Sequence, residues 1–190
     1  MRRRCSPSPT STAGFEARRD RWSITGDFIW LKLSASTNPA ANSYLSFRQE
    51  EILASVALGY ELCGTERTTL DLLAGAALTS LDVDLELNTP ALPVTTRTAS
   101  GSQEWIDPFV GLRVRHRLSD RWSVFARAEY GGFGVSSDEY WQVLAGISYR
   151  TTECTSIALA YRIMAVDYHQ AAFDYDTEMS GPNLGLVFQF

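Results

Sequence analysis

Apolar and polar residues alternate with a period of two along most of this chain. Trp22, Ile24, Gly26, Phe28 and Trp30 alternate with Ser23, Thr25 and Asp27. Ile52, Ala54, Val56, Leu58 and Tyr60 alternate with Ser55, Ala57, Gly59 and Glu61. Ile106, Pro108, Val110, Leu112 and Val114 alternate with Gly111, Arg113 and Arg115. Successive strand side chains point to opposite faces, so this pattern predicts strands with unlike faces, whereas helical spacing is weak. The blocks cover residues 22–34, 50–62, 68–87, 104–118, 122–130, 139–150, 154–166 and 181–190, with a stub at 15–18. Short turns at 19–21, 64–67, 118–121 and 151–153 alternate with long loops at 35–46, 88–103, 131–138 and 168–180. The expected fold class is all-β: an antiparallel up-and-down transmembrane β-barrel of eight full strands plus a short stub.

Alternation alone fits two kinds of barrel. A soluble, lipocalin-like barrel turns its apolar face inward, and an outer-membrane barrel turns it outward. Three features favour the second. The polar face is rich in small residues (Ala57, Gly59, Gly75, Gly111, Gly146, Ala160, Gly185), as a crowded interior requires. Trp22 and Trp30, Trp122 and Tyr130, and Trp141 and Tyr149 are each eight residues apart on the apolar parity. At about 3.3 Å per residue this is ~26 Å along a strand, or ~20 Å of height at a tilt of about 40°, near the apolar band of such barrels. Trp and Tyr favour both membrane interfaces. Finally, Asp20-Arg21-Trp22-Ser23-Ile24 and Asp120-Arg121-Trp122-Ser123-Val124 both place charges before a Trp that opens an apolar block.

Composition narrows the function classes. The chain has 190 residues, 45% hydrophobic and 21% charged. It contains no apolar run long enough for a membrane helix, a test that β-barrels escape because inward polar residues dilute their hydropathy. A formal net charge of -5 argues against nucleic acid as a partner. Residues 1–13 (Met1-Arg2-Arg3-Arg4, then a Ser/Pro/Thr-rich stretch) lack the apolar core of a signal peptide. They are expected to be disordered or artefactual, with residues 14–190 forming one barrel domain. Cys5, Cys63 and Cys154 lack metal-ligand spacing, and their odd number points to free thiols, with a Cys63–Cys154 disulfide as the alternative.

Candidate chemistry is sparse. His116 falls near a turn, and His169 falls in a predicted loop near Asp167, Asp174 and Ser180 without a nucleophile motif. Asp167, Asp174, Asp176 and Glu178 form an acidic stretch whose spacing fits no EF-hand loop, so it is read as solvated. Gly131-Gly132-Phe133-Gly134 lacks the Lys of a phosphate loop and reads as a rim turn. Asp27, Glu61, Asp71, Arg113, Arg115, Arg127, Glu129 and Arg162 share the polar face, where mixed charges in a narrow lumen should pair. No catalytic, cofactor-binding or metal-ligating residue is expected, nor a cofactor or enzymatic activity. The expected role is structural, binding or surface interaction. Alternatives are a narrow, porin-like channel for small solutes, a lipid-modifying enzyme using His169, and a soluble ligand-binding barrel.

Trp105-Ile106-Asp107-Pro108, Gly131-Gly132-Phe133-Gly134, Tyr161-Arg162, Asp167-Tyr168, Gly181-Pro182-Asn183-Leu184-Gly185 and a last strand ending in Phe190 follow one another in this order. Over residues 14–190 the series resembles a group of uncharacterised outer-membrane β-barrel proteins of proteobacteria. The resemblance implies a Gram-negative outer-membrane location. It also implies membrane lipids as partners, together with the barrel-assembly machinery, which reads a C-terminal strand ending in Phe. Members of the group begin with a signal peptide, a first strand and a loop ahead of the segment matching residues 14–18. The resemblance therefore implies that this chain is an N-terminally truncated form of a ten-stranded barrel.

Overall fold

The computed structural model describes residues 4–7, 11–37, 44–88, 96–170 and 173–188. All regular structure in them is β: β1 (Arg4–Pro7), β2 (Ser11–Arg19), β3 (Trp22–Thr37), β4 (Tyr44–Gly64), β5 (Thr68–Asn88), β6 (Thr96–Arg117), β7 (Trp122–Gly131), β8 (Glu139–Arg150), β9 (Thr155–Gln170) and β10 (Phe173–Phe188). They form one sheet in the order β1-β3-β4-β5-β6-β7-β8-β9-β10, with β2 also paired to β3. From β3 onward each strand neighbours the next in sequence, which is the up-and-down topology from which barrels are built. The fold is thus all-β and antiparallel, with the eight long strands that the alternation predicts (β3–β10) and two shorter ones before them, β1 and β2, in place of the single expected stub at 15–18.

The element ends differ from expectation in one direction. Residues 139–150 match end to end, but the strands flanking the long loops run further than their apolar blocks. Most of the expected loop 168–180 is strand: β9 continues to Gln170, and β10 starts at Phe173 and pairs with it residue by residue. A hydrogen-bonded ladder needs backbone partners rather than apolar side chains, so it continues where the apolar pattern stops. Residues 4–7 and 11–13 also differ from the disordered stretch read from composition, because the free edge of β3 offers them a partner. Arg4 pairs with Ser36 and Pro7 with Leu33.

The short turns are tight. Asp20, between β2 and β3, takes a left-handed φ of 55°, which Asp tolerates better than most residues. Ser119 Oγ accepts the backbone N–H of Trp122 at 3.2 Å. Gly132, Phe133 and Gly134 all have positive φ (88°, 53° and 67°) and form the turn after β7.

Packing divides the chain into two compact units. The first comprises Met1–Phe15, Gly26–Ser55 and Leu78–Trp105, and the second Glu16–Thr25, Val56–Ala77 and Ile106–Phe190. In the first, Ile29, Leu53 and Leu81 are buried together with polar Glu51 and Thr79. Trp30 Nε1 there donates to Glu50 Oε1 at 2.8 Å. In the second, burial follows strand parity in an unusual sense. Asp71, Asp107, Arg113, Arg127, Glu129 and Gln142 are buried, while Leu58, Leu72, Val110, Leu112, Ile157, Leu159 and Leu184 are exposed. Asp71 keeps 1% of its surface and Leu184 keeps 78%.

Small residues permit the crowding on the buried face. A Cβ at Gly75 would lie 2.8 Å from both Ala57 Cα and Phe109 Cζ, and closer still to the Val56 carbonyl oxygen. Gly185, in β10, has nothing within 4 Å of such a position. Gly75→Leu is therefore expected to destabilise the fold by about 1–3 kcal/mol, the usual cost of overpacking. Gly185→Ala should stay within about 0.5 kcal/mol. Urea unfolding of the folded chain followed by tryptophan fluorescence compares the two.

Candidate functional site

The buried charges gather into two groups, both within the second unit. The first centres on Asp71 of β5 and Arg113 of β6. Asp71 Oδ2 accepts from Arg113 Nε at 2.9 Å and from Arg18 Nη2 at 2.7 Å. Arg113 Nη1 reaches Glu16 at 3.0 Å, and its Nη2 donates to Ser23 Oγ at 3.0 Å. Arg115 holds Glu16 through two bonds of 3.0 and 2.9 Å, and Arg18 Nη1 holds Glu61 at 2.9 Å. Arg18, Arg113 and Arg115 thus face Glu16, Glu61 and Asp71, and the formal charges cancel. Guanidinium forks suit this arrangement because each presents several fixed donors to carboxylates.

The second group centres on Glu129 of β7. Its carboxylate accepts from Arg127, from the Gln142 amide and from Tyr140 Oη, the last at 3.3 Å. Arg162 Nη1 in turn donates to Gln142 Oε1 at 3.0 Å. Of the charges predicted to share a face, Glu61, Asp71, Arg113 and Arg115 meet in the first group, and Arg127, Glu129 and Arg162 in the second. Asp27 falls in the first compact unit, where it is half-buried. Glu16 and Arg18 were not anticipated. Their signal was opposite charges two residues apart, on the parity opposite Phe15 and Ala17.

Two sequence motifs converge at one rim. Asp107 Oδ1, on β6, accepts the backbone N–H of Ser137 at 2.8 Å, and Ser136 Oγ donates to the Ile106 carbonyl at 2.8 Å. Gly132 N–H donates to the Pro108 carbonyl at 3.1 Å. The Asp-Pro of residues 107–108 therefore anchors the turn that Gly131-Gly132-Phe133-Gly134 opens, as the rim-turn reading requires.

The outward face carries the aromatic residues in register. In the β7–β8 ladder Trp122 is opposite Tyr149, and Tyr130 is opposite Trp141. Trp122 and Tyr149 rings stand 4.8 Å apart, and Trp22 and Tyr60 rings 4.9 Å apart. Between the two aromatic levels β7 shows Val124, Ala126 and Ala128 outward, and β8 shows Val143, Ala145 and Ile147.

The histidines separate. His116 Nδ1 is 2.7 Å from Thr68 Oγ1. His169 is on strand β9, not in a loop, and its Nδ1 lies 3.1 Å from Asp138 Oδ2 and 3.0 Å from Asp167 Oδ1. The hydrogen bond to Asp138 and the charges of Asp167 and Asp174 raise its pKa above the ordinary 6.5. Ser180 is not brought to His169: it is in register with Ile163, and its Oγ accepts from Tyr161 Oη at 3.3 Å. Within the acidic stretch Asp176 stands opposite Asp167 and Asp174 opposite His169. Cys63 and Cys154 are exposed free thiols. No protein-family model matches the chain, and a search of curated proteins returns no match.

Removing one member of the buried pair takes from the other its buried, oppositely charged partner. Arg113→Met and Asp71→Leu should each cost about 3–5 kcal/mol, and the double variant should recover much of that loss. Chemical unfolding of the three variants measures the coupling. His169 should titrate above the ordinary histidine value of 6.5 in a two-dimensional NMR series and fall back in Asp138→Asn. Because its folded pKa is raised, its stabilising contribution is fully present below the unfolded value and is lost as pH rises through the folded one.

Proposed function

We propose that this protein is an outer-membrane β-barrel that places its apolar face against lipid and its paired charges in the lumen. One observation carries this reading: burial is inverted, with ionised side chains covered and large apolar side chains bare. A soluble protein seldom leaves so much contiguous apolar surface in water, and patches of that kind mark contacts with membranes or partners. The outward face is also banded. It is apolar between the Trp122/Tyr149 level and the Tyr130/Trp141 level, and beyond Trp141 it turns charged at Glu139, Asp167 and His169. Leu184, Leu186 and Phe188 continue the apolar face onto the last strand, each of them exposed. Phe190 lies outside the described residues.

The lumen charges support a structural role in preference to conduction. Arg113 and Arg18 both bond Asp71 Oδ2, and Glu16 and Arg115 join them, so the groups that would line a pore bridge it instead. Small barrels are in any case mostly filled by side chains. Recognition, on this reading, belongs to the long-loop rim and the strand extensions above Trp141, with lipids as the lateral partner.

The reading is tested by folding the chain into detergent or lipid vesicles and comparing heated and unheated gel mobility. A folded band that shifts on boiling is expected. A chain that is monomeric and folded in detergent-free buffer overturns the proposal. Depth dependence gives a sharper check. Val114 pairs with Ala126, midway between the aromatic levels, while Val110 pairs with Tyr130 at one of them. Val114→Arg should cost about 2–4 kcal/mol in vesicles and Val110→Arg only about 0–1. Equal, small effects would mean that water, not lipid, meets this face.

A further inference from the structure

The cluster around His169 has a geometry that internal hydrogen bonding leaves incomplete. Nδ1 faces two carboxylate oxygens at once, at 3.1 Å (Asp138) and 3.0 Å (Asp167). One ring nitrogen carries at most one proton, so it can donate to only one of them. Asp167 Oδ1 accordingly accepts no hydrogen bond, although the side chain that carries it is 42% exposed. One ring nitrogen of His169 and one oxygen from each Asp all lie within 4.8 Å of one another. Donors bound at about 2.0–2.2 Å to a common ion stand roughly 2.8–3.6 Å apart, so the two measured separations match the edges of a coordination polyhedron.

The sheet fixes these groups independently of any ligand. Asp167 and His169 are two apart on β9 and share its outward face. The backbone N–H of Asp138 donates to the Asp167 carbonyl at 2.8 Å, which ties the third donor to the same strand. Asp174 stands opposite His169 on β10 and adds negative charge. An imidazole with two carboxylates is a donor set for a first-row divalent ion. Calcium and magnesium prefer oxygen ligands throughout, whereas zinc accepts nitrogen and oxygen together.

We propose that Asp138, Asp167 and His169 form a surface site for a divalent transition-metal ion, zinc being the type case, on the outward face beyond Trp141. The site is open, so water completes the coordination sphere. The proposal does not rest on the membrane reading, since it needs only the β8–β9–β10 ladder.

Calorimetric titration of the full-length chain with zinc chloride tests it, with the cysteines alkylated to remove thiolate binding. The chain is used folded in detergent or in plain buffer, whichever it requires, so failure to enter membranes does not affect the result. One zinc per chain is expected. Affinity should fall at least about tenfold in His169→Gln and in Asp167→Asn, remain unchanged in His116→Gln, and exceed that for calcium by at least about tenfold. His169 is exposed, so its replacement leaves the fold intact, and circular dichroism verifies this. Absence of saturable binding overturns the proposal. So does binding that survives His169→Gln, that is lost equally in His116→Gln, or that calcium matches.

Discussion

A charge buried on one face of a strand dictates what the other face must meet. In β5 and β6 the buried positions hold Asp71 and Arg113, and strand geometry leaves Leu72, Leu112 and Val114 on the opposite side. No rotation of the strand satisfies both sets in water, because a one-residue slip would exchange them wholesale. The pairing of Asp71 with Arg113 is therefore the constraint from which the rest follows. It keeps the ionised groups on the buried face, goes with glycine and alanine around them, and leaves the apolar side chains on the opposite, exposed face.

Multiplicity offsets part of the cost of this arrangement. A lone buried ion pair often fails to recover its desolvation. Here Asp71 Oδ2 accepts from two guanidinium groups, and Glu16 is shared between Arg113 and Arg115. The Glu129 group is built differently, with neutral donors from Tyr140 and Gln142 beside Arg127. Both solutions use side chains that the small residues leave room for.

Much of this was legible in the sequence, because a period of two is a direct image of strand geometry. The eight long strands, the aromatic levels and the face shared by Asp71, Arg113, Arg127 and Glu129 all follow from parity. Strand ends were not legible where the apolar alternation ceases: β9 runs on through Asp167 and His169 to Gln170, and β10 already pairs with it at Asp174 and Asp176, because backbone pairing sustains them. Asp138 was invisible as a neighbour of His169, since 31 residues separate them and only the β8–β9 register joins them. Glu16 and Arg18 were hidden in a stub too short to show its own periodicity.

The topology also sets an order of events. Every pairing from β3 to β10 joins strands adjacent in sequence, so each hairpin closes a short loop at little entropic cost. The Glu16 bonds to Arg113 and Arg115 are of another kind, spanning 97 and 99 residues. Closing that span becomes affordable only after the intervening hairpins have drawn β2 and β6 together. The ionic group near the chain's beginning is thereby the non-local part of the fold, fastening strands far apart in sequence, where the hairpins join only neighbours.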